Sequence, residues 1–330
     1  MIRWGILSTA KIGITQAIPA LIEADNCAFV AIASRSTARA QEVAAQFNIS
    51  HVFGSYDALL ASDEVDAVYI PLPTSHHVEW SRKAAEAGKH VLCEKPIALA
   101  ASEIDGLIDA RDSNGVELSE AMMAVYHPQW HKVRALIQDG AIGQLRHFTS
   151  SFAYHNTDPE NIRNKIDTGG GALPDIGCYP VATTRFVTGA NAYRAVAQVH
   201  RDRSFGTDIS AACLVDFGSF DLLMHVATQI AWRQTASFHG ETGFIQLAAP
   251  FNSVPGTPDT LHLFRDGQQN AEIFRFEGVN QYRLQFEAFA RAIAEDEDGQ
   301  LLSLENSRIN QSIIDAVYSS SENGQWREIV

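Results

Sequence analysis

The fold is decided at positions 3–13, which read RWGILSTAKIG. The apolar run Arg3–Ser8 predicts a buried strand, and Ile14–Ala24 has apolar residues at helical spacing. Between them, Ser8 and Ala10 stand where the fingerprint G-x-G-x-x-G has its first two glycines, and the third is a glycine. Small residues there let the backbone approach a pyrophosphate at a helix N-terminus. The stretch favours a dinucleotide-binding turn, although an ordinary strand-to-helix turn has the same pattern.

Apolar strands continue to alternate with helices to about residue 120. The predicted strands are Phe29–Ala33, Ala67–Leu72, His90–Cys93 and Val116–Glu120, and the predicted helices are Thr37–Phe47, His76–Ala87 and Ser102–Asn114. Near-continuous apolar strands separated by helices indicate a parallel sheet covered on both faces. We therefore expect an α/β, doubly wound Rossmann domain over residues 1–121, with Ser8, Thr9, Ala10, Lys11 and Ile12 as its phosphate loop.

The pattern changes over residues 122–330. Helices are predicted at Trp130–Gln138, Ala172–Phe186, Tyr282–Glu295 and Leu304–Ser320, and strands at Ala195–His200, Ile209–Phe217, Phe220–Thr228, Thr235–Leu247 and Thr260–Phe276. Sequential strands joined by short turns imply an α+β domain with a large, mostly antiparallel open sheet. Apolar residues fall on both alternations of these strands, as at Leu222 and Leu223. An uncovered sheet face of this kind predicts a homodimer or homotetramer, so this domain is expected to serve both substrate binding and oligomerisation.

Composition excludes several classes of protein. Hydrophobic residues make up 46% and charged residues 19%, as in a folded globular protein, and the net charge of -14 repels nucleic acid. The N-terminal apolar run is too short for a membrane span or a signal sequence. The cysteines form no C-x-x-C pair, and adjacent His76 and His77 point in different directions on a helix. We expect a cytoplasmic protein without a metal site and without a membrane or nucleic-acid partner.

The end of the second predicted strand reads Ser34-Arg35-Ser36. A domain selective for NAD usually has Asp or Glu there, to bind the ribose 2′-hydroxyl. A guanidinium flanked by hydroxyls instead suits a 2′-phosphate, which it can bind through charge-assisted hydrogen bonds. Ser34 and Arg35 therefore predict NADP, with NAD still possible, although a solvated surface arginine is the alternative.

Two further loops follow strands of the same predicted sheet. In open α/β sheets ligands bind beyond the carboxyl ends of the strands. The loop after the fourth strand contains Leu72, Pro73, Thr74 and His77, and the loop after the fifth contains Glu94, Lys95 and Pro96. We expect the first loop to contact the cofactor and Glu94-Lys95 to lie where substrate and cofactor meet, although a surface charge pair has the same sequence.

A second cluster of chemical interest begins with three glycines at 169–171 and continues through Asp175 to Tyr179. Consecutive glycines permit close approach of the backbone to a ligand or to another segment. Asp175 and Tyr179 are four residues apart, so they share a face if the segment is helical. A helix N-terminus stabilised by Asp175 is the alternative interpretation.

These motifs together resemble the Gfo/Idh/MocA oxidoreductase family over nearly the whole chain. The resemblance is carried by Trp4–Gly13, by the segment from Ala87 to the Glu94-Lys95-Pro96 motif and by Gly170–Tyr179. The stretches Tyr126–Gln129 and Tyr282–Phe286 are similar to the branch that includes dimeric dihydrodiol dehydrogenase and aldose dehydrogenases. The chain departs from the family at Ser8 and Ala10, which replace glycines.

The resemblance implies hydride transfer between NADP and a hydroxyl or carbonyl carbon of a sugar or cyclic polyol. It implies that Lys95, Asp175 and Tyr179 are catalytic and that they bind substrate, and His127 and Arg163 are further candidates on the substrate side. Free tyrosine has a pKa near ~10, and a nearby ammonium lowers it. We hypothesise that Lys95 lowers the pKa of Tyr179 and holds the reacting oxygen, while Asp175 orients Lys95 or binds a second hydroxyl.

Three alternatives stay open at the level of sequence. Tyr179 and Lys95 could exchange the acid–base role. A regulatory protein of the same fold would bind NAD(P) without catalysis, although it would not need Lys95, Asp175 and Tyr179 together. A sugar–sugar oxidoreductase would keep its NADP tightly bound and cycle it between two substrates.

Overall fold

The computed structural model describes residues 1–253, 257–295 and 301–329. The chain divides into two units. Unit 1 comprises Met1–Met123 and Asn280–Arg308, and unit 2 comprises Ala124–Val279 and Ile309–Val330. The division expected from sequence, 1–121 and 122–330, is continuous and therefore differs from the structure, which returns a late segment to the first unit.

Unit 1 is built on a parallel sheet of six strands in the order β3-β2-β1-β4-β5-β6. In chain order β1–β6 are Ile2–Leu7, Cys27–Ala33, His51–Phe53, Ala67–Ile70, His90–Glu94 and Leu118–Ala121. The strand order reverses between β1 and β4, and ligands of doubly wound sheets bind at such a reversal. The predicted Rossmann domain is confirmed, and only the short strand β3 has no counterpart in the prediction.

The helices α1–α9 are, in chain order, Ile18–Glu23, Thr37–Phe47, Tyr56–Leu60, His77–Glu86, Ala101–Asn114, Pro128–Gln138, Cys178–Thr188, Gln281–Ile293 and Leu304–Ser321. Serine side chains cap α2 and α3, where Ser36 accepts from the N–H of Arg39 and Ser55 from that of Ala58. Five-residue π-helical turns precede α1 and α7, at Gly13–Ala17 and Leu173–Gly177. The five-residue helix α3 escapes prediction because it is too short to show a helical period.

Helix α8 completes the core of unit 1. Phe286 and Phe289 are fully buried and lie with their ring centroids 5.0 Å and 5.4 Å from that of Trp4 on β1. Phe286 also contacts Tyr69 of β4 edge to face at 5.4 Å. The apolar face of α8 therefore belongs to the same core as the first strand, which explains why the structure assigns it to unit 1.

Unit 2 is built on a nine-stranded sheet in the order β14-β13-β12-β11-β7-β10-β9-β8-β15. In chain order β7–β15 are Leu145–His155, Arg194–Arg201, Asp208–Asp216, Asp221–Ala227, Gln229–Gly240, Gly243–Leu247, Asp259–Arg265, Glu272–Phe276 and Arg327–Glu328. Among the strands of this sheet that the structure describes, only β7 and β10 pair in parallel, so the mostly antiparallel sheet that was predicted is confirmed.

Two expectations for this sheet are wrong. The stretches Thr235–Leu247 and Thr260–Phe276 were each expected to be one strand, and each is a hairpin of two strands. The central strand β7 was not predicted, because Ser150 interrupts the apolar alternation of Phe148 and Phe152 on its covered face. The Ser150 hydroxyl donates to the carbonyl of Thr235 on the neighbouring strand, so a polar residue is accommodated there.

The sheet of unit 2 has strands with large exposed apolar side chains. Leu223, Ile230, Trp232 and Ile273 are 40%, 46%, 63% and 48% exposed. On β10 the neighbours of Leu223, which are Leu222 and Met224, are buried, so the alternation that suggested an uncovered apolar face is present on that strand. Ile230 and Trp232 lie instead in a stretch of β11 that is exposed on both alternations, and β14 has no buried residue.

Over the part of the chain that the structure describes, no helix has both the length and the apolar character needed to cross a bilayer. Within the same ranges, no group of three or more His, Cys, Asp or Glu side chains is arranged to hold a metal ion. The four cysteines are buried thiols.

Candidate active site

The loop after β1 contains the fingerprint residues of unit 1. Ser8 has a φ of 126°, a backbone conformation that favours glycine, and it occupies the position where the fingerprint has its first glycine. Its hydroxyl accepts from the N–H of Ala10 at 3.1 Å, and its own N–H donates to Ala33 of β2 at 2.9 Å. The chain then enters the helical turn at Gly13. The backbone geometry therefore suits a pyrophosphate although two of the three glycines are replaced.

The loop after β2 contains Ser34 and Arg35. Ser34 is buried, and its hydroxyl accepts from the N–H of Ser36 at 3.1 Å, which fixes the turn into α2. Arg35 extends from this turn and is exposed. Burial raises the pKa of Tyr56, and the neighbouring Arg35 guanidinium opposes that increase. An exposed guanidinium on a fixed turn beside a tyrosine fits the binding of a phosphate group.

The loop after β4 is joined to the loop after β5 by His77. Its ring is buried, with Nδ1 at 2.8 Å from the carbonyl oxygen of Pro96 and Nε2 at 2.8 Å from that of Leu72. Burial lowers the pKa of His77. Both ring nitrogens of His77 thus face protein carbonyls and the ring joins the two loops, while the cofactor contact expected for this residue stays a prediction. Pro73 and Thr74 are half-buried at the surface of the same loop.

The loop after β5 carries Lys95 and is held by hydrogen bonds to several side chains. The Tyr69 hydroxyl donates to Oε1 of Glu94, and Oε2 of Glu94 accepts from the N–H of Lys95 at 3.3 Å. The Lys95-Pro96 peptide bond is cis. Beyond it, the N–H of Ile97 donates to Oε1 of Glu120 at 3.1 Å. The segment 94–97, at the end of β5 and just beyond it, is thus fixed by side chains of β4, α4 and β6.

In unit 2, the glycine run lets the backbone approach its neighbours closely before the helix that carries Asp175. A Cβ at Gly170 would lie 2.5 Å from the carbonyl oxygen of Arg163. Gly171 has a φ of 146°, and a Cβ there would collide with the carboxylate of Asp208. That carboxylate accepts from the N–H of Leu173 at 2.7 Å and from the Tyr318 hydroxyl at 2.7 Å. The glycines therefore serve the anchoring of this helix.

Asp175 lies in a network of donors. Its Oδ2 accepts from the Tyr154 hydroxyl at 2.6 Å and lies 2.8 Å from Nε of Arg163. The charge of Asp175 is the main cause that raises the pKa of Arg163, and Tyr154 and Tyr179 add to it. Arg163, Asp175 and Tyr179 were predicted as site residues, and the structure brings them together within unit 2. Tyr154 was missed because β7 was missed, although its two-residue spacing from Phe152 was a usable signal.

Tyr179 has an aromatic environment. It is 4% exposed, and its ring lies 5.5 Å from that of Phe152 and 5.3 Å from that of Phe251. The loop with Phe251 is fixed by Gln234, whose side-chain oxygen accepts from the N–H groups of Phe251 at 3.2 Å and Asn252 at 3.1 Å. The orientation of the Tyr179 ring is thus restricted by two flanking rings.

His127 does not have the substrate-facing position that was expected for it. It is completely buried, with Nε2 at 2.9 Å from Oδ2 of Asp259, and Nδ1 accepts from the N–H of Gln129 at 3.0 Å. The side chain thereby caps the N-terminus of α6. His127 is a structural residue of unit 2, and the expected substrate contact is corrected.

Comparison with known proteins adds two matches to family models. Residues 2–122 match the oxidoreductase family GFO_IDH_MocA, described as an NAD-binding Rossmann fold, and residues 130–246 match the GFO/IDH/MocA C-terminal domain. Both models belong to the family that the motifs resemble. They cover most of both units.

The chain is also similar to individual proteins over almost its full length. It is 36% identical to D-xylose 1-dehydrogenase (NADP(+)) 2 of Haloferax volcanii, covering 99% of each chain. It is 39% identical to an uncharacterized oxidoreductase of Rhizobium meliloti, covering 100% of this chain and 99% of that one. Among solved structures, the 3-ketoreductase KijD10 of Actinomadura kijaniata, in complex with NADP and TDP-benzene, superposes with a TM-score of 0.90 at 32% identity over 97% of each chain.

Proposed function

This chain belongs to the GFO/IDH/MocA oxidoreductase family, and we propose that it transfers hydride between NADP and a hydroxyl-bearing or carbonyl carbon of a sugar or cyclic polyol. The observation that carries the proposal is the Lys95 loop, whose backbone is held by Glu94, His77 and Glu120. A scaffold protein has no need to fix a lysine in this way. Catalysis does, because reacting groups must be held in position.

The residues of unit 1 fit a dinucleotide. Ser8 has the backbone conformation of the first fingerprint glycine, and Ser8–Ile12 lead into a helix N-terminus that can bind the pyrophosphate. Arg35, exposed beside Tyr56, would hold the 2′-phosphate that distinguishes NADP from NAD. When bound, the nicotinamide accepts or donates the hydride.

We assign the proton chemistry to side chains of the protein. Lys95 Nζ is the hydrogen-bond donor to the reacting oxygen, and Tyr179 Oη accepts the proton of the substrate hydroxyl or returns it in the reverse direction. Arg163 balances the charge of Asp175 at 2.8 Å. Asp175 can therefore lie one helical turn from Tyr179 without an unbalanced negative charge that would oppose formation of the phenolate. Asp175 then serves as an acceptor for a substrate hydroxyl.

Support for the substrate class comes from relatives of different activity. One is a xylose dehydrogenase, another is a scyllo-inositol 2-dehydrogenase of Bacillus subtilis at 31% identity, and a third is the 3-ketoreductase noted above. Their names share a sugar or cyclic polyol whose reacting carbon bears a hydroxyl or a keto oxygen. A sugar or cyclic polyol is therefore the class that we propose for this chain.

The proposal is tested with a spectrophotometric panel of aldoses, inositols and dihydrodiols, each with NADP and with NAD. We expect NADP reduction with at least one class, and loss of it in Tyr179→Phe but not in the matched control Tyr193→Phe, whose side chain is 63% exposed. Bound NADPH without turnover in either direction would contradict the proposal and favour a regulatory protein. Release of NADP(H) from the denatured, purified protein would favour the sugar–sugar oxidoreductase.

We also propose that unit 2 forms a homodimer or homotetramer through its sheet. Leu223, Ile230, Trp232 and Ile273 expose apolar area on strands of this sheet, and the opposite face of β10, which carries Leu223, is buried. Stable interfaces bury roughly 800 Å² per partner, and such strands supply area of this kind. Light scattering at micromolar concentration tests the assembly, and Trp232→Lys should weaken it. A monomer would contradict the proposal.

A further inference from the structure

Glu120 lies at the end of β6, outside every motif that the sequence singles out. In the parallel pair of β5 and β6 it is opposite Cys93, two positions before Lys95. Its side chain is 5% exposed, although glutamate is almost never buried without partners. A buried carboxylate at this position calls for a physical reason.

Both oxygens of the Glu120 carboxylate have hydrogen-bond donors in unit 1. Oε1 accepts from the N–H of Ile97 at 3.1 Å, and Oε2 accepts from the hydroxyl of Ser307 at 2.7 Å. Pro96 has no N–H, so Ile97 offers the first backbone donor after Lys95 itself. Glu120 therefore fixes the chain immediately beyond the lysine, and Ser307 of α9 fixes Glu120.

Hydrogen bonding alone does not require a charge at this position. A glutamine could accept the same N–H at a smaller cost of burial. Burial raises the pKa of Glu120, while Ser307, the N–H of Ile97 and the charge of Lys95 oppose the increase, in that order. Glu94, His77 and the hydroxyl of Tyr69 are further titratable groups of unit 1 that contact this loop. Lys95 is a cation near the buried carboxylate, which binds the N–H of Ile97 two residues beyond the lysine.

We propose that Glu120 is a positioning residue for Lys95, which it holds in place through Ile97 and keeps in the charged ammonium form through its own carboxylate. This inference rests on the proposed function in one respect, which is that Lys95 is taken to be catalytic. The two parts of the role are separable by substitution. Glu120→Gln keeps an acceptor for Ile97 and removes the charge, whereas Glu120→Asp keeps the charge and shortens the reach.

The charge is tested by measuring the titration midpoint of Lys95 directly. Reductive methylation with ¹³C-formaldehyde labels the lysines of the chain, Lys11, Lys83, Lys89, Lys95, Lys132 and Lys165, and Lys95→Met assigns the Lys95 resonance. We expect Glu120→Gln to lower the Lys95 midpoint by about one pH unit and Glu120→Asp to leave it near wild type. An unmoved midpoint in Glu120→Gln overturns the electrostatic role.

The anchoring of the loop is tested by steady-state kinetics. We expect Glu120→Asp to lower kcat about tenfold with little change in the KM for NADP, because a displaced lysine affects the chemical step more than cofactor binding. Ser119→Ala is the matched control, since this buried hydroxyl lies on the same strand and donates to the carbonyl of Leu302 at 2.8 Å. Equal kcat in Glu120→Asp and Ser119→Ala overturns the anchoring role.

The midpoint of Lys95 needs no substrate, so the two proposals fail separately. A wild-type protein that turns over no sugar contradicts the proposed function, while the midpoint in Glu120→Gln still decides the electrostatic role. If the wild type is active, the alkaline limb of its kcat profile should move to lower pH in Glu120→Gln, because loss of a neighbouring negative charge lowers the pKa of Lys95. Ser307→Ala, which keeps the carboxylate but removes one donor, should shift the limb in the same direction by less.

Discussion

Two loops at the carboxyl edge of the same sheet, after β1 and after β5, are held in opposite ways. The loop after β1 depends on backbone conformation, with Ser8 at a φ of 126° and little demand on side chains beyond small size. The loop after β5 depends on side chains from three other elements, which hold Glu94, Pro96 and Ile97. The loop after β1 therefore tolerates replacement of its fingerprint glycines by other small residues. The loop after β5 has a specific sequence and also depends on residues that are far away in the chain.

The strongest test of this contrast removes the lysine that the second loop presents. Lys95→Met should lower kcat by at least about 1,000-fold, because the reacting oxygen loses a charged donor, while NADPH binding changes little. Lys83→Met is a suitable control, since Lys83 forms an exposed ion pair with Glu79 at 2.7 Å in the same unit. Stopped-flow turnover and NADPH fluorescence titration separate the two effects. Turnover within tenfold of wild type would contradict the role of Lys95.

The loop after β2 extends the comparison to cofactor choice. Arg35→Ala should reduce the preference for NADP over NAD by about 30-fold, the equivalent of two charge-assisted hydrogen bonds only partly replaced by water. The ratio of kcat/KM for the two cofactors is the measurement. Arg82→Ala, which removes a surface guanidinium of the same unit, should leave that ratio unchanged. If the ratio of kcat/KM for NADP and NAD is unchanged in Arg35→Ala, another residue recognises the 2′-phosphate.

A smaller effect is expected when the hydrogen bond from Tyr69 to Glu94, next to the loop after β5, is removed. Tyr69→Phe keeps the edge-to-face contact with Phe286 and removes only the hydroxyl that donates to Glu94. We expect kcat to fall about tenfold with a small change in the thermal midpoint of unfolding. The reason is that the loop with Lys95 loses one of the hydrogen bonds that fix it, while the packing of the core is preserved. If the thermal midpoint falls strongly and kcat per folded molecule is unchanged, the hydroxyl is structural.

The smallest effect concerns Ser8 in the first loop. Both substitutions at Ser8 remove the hydroxyl that accepts from Ala10, but Ser8→Gly relieves the strain of a positive φ whereas Ser8→Ala keeps it. Both variants should bind NADPH. Ser8→Gly should be the more stable of the two by about 1 kcal/mol, a difference of about 2 °C in the thermal midpoint. The reverse order of stability would contradict the dependence of this loop on backbone conformation.

The same contrast explains what sequence could predict. Helix α2 has the predicted bounds, Thr37–Phe47, because a capping serine and a clear apolar period define it locally. The family, the enzyme class and the nicotinamide cofactor followed from the resemblance carried by Trp4–Gly13, by the segment that ends in Glu94-Lys95-Pro96 and by Gly170–Tyr179, and the comparisons confirm them. Such signals are local, since a few adjacent residues carry each one.

What escaped prediction depends on partners far apart in the chain. Glu120 is paired with Ser307, Tyr69 with Glu94, and Tyr154 with Asp175, and no local pattern announces these pairs. His127 shows the opposite error, because a histidine near a helix start suggests chemistry until its pairing with buried Asp259 is seen. The catalytic assignments of Lys95, Asp175 and Tyr179 stay predictions until the variants are measured.

Helix α8 lies late in the chain but belongs to unit 1, and this has a consequence for folding during synthesis. Trp4 leaves the ribosome long before the two rings that cover it, those of Phe286 and Phe289. The nucleotide-binding unit therefore cannot close its core until α8 has been synthesised, and contacts of such long sequence separation form slowly. A nascent chain stalled before α8 should leave this indole exposed and be a natural substrate for chaperones.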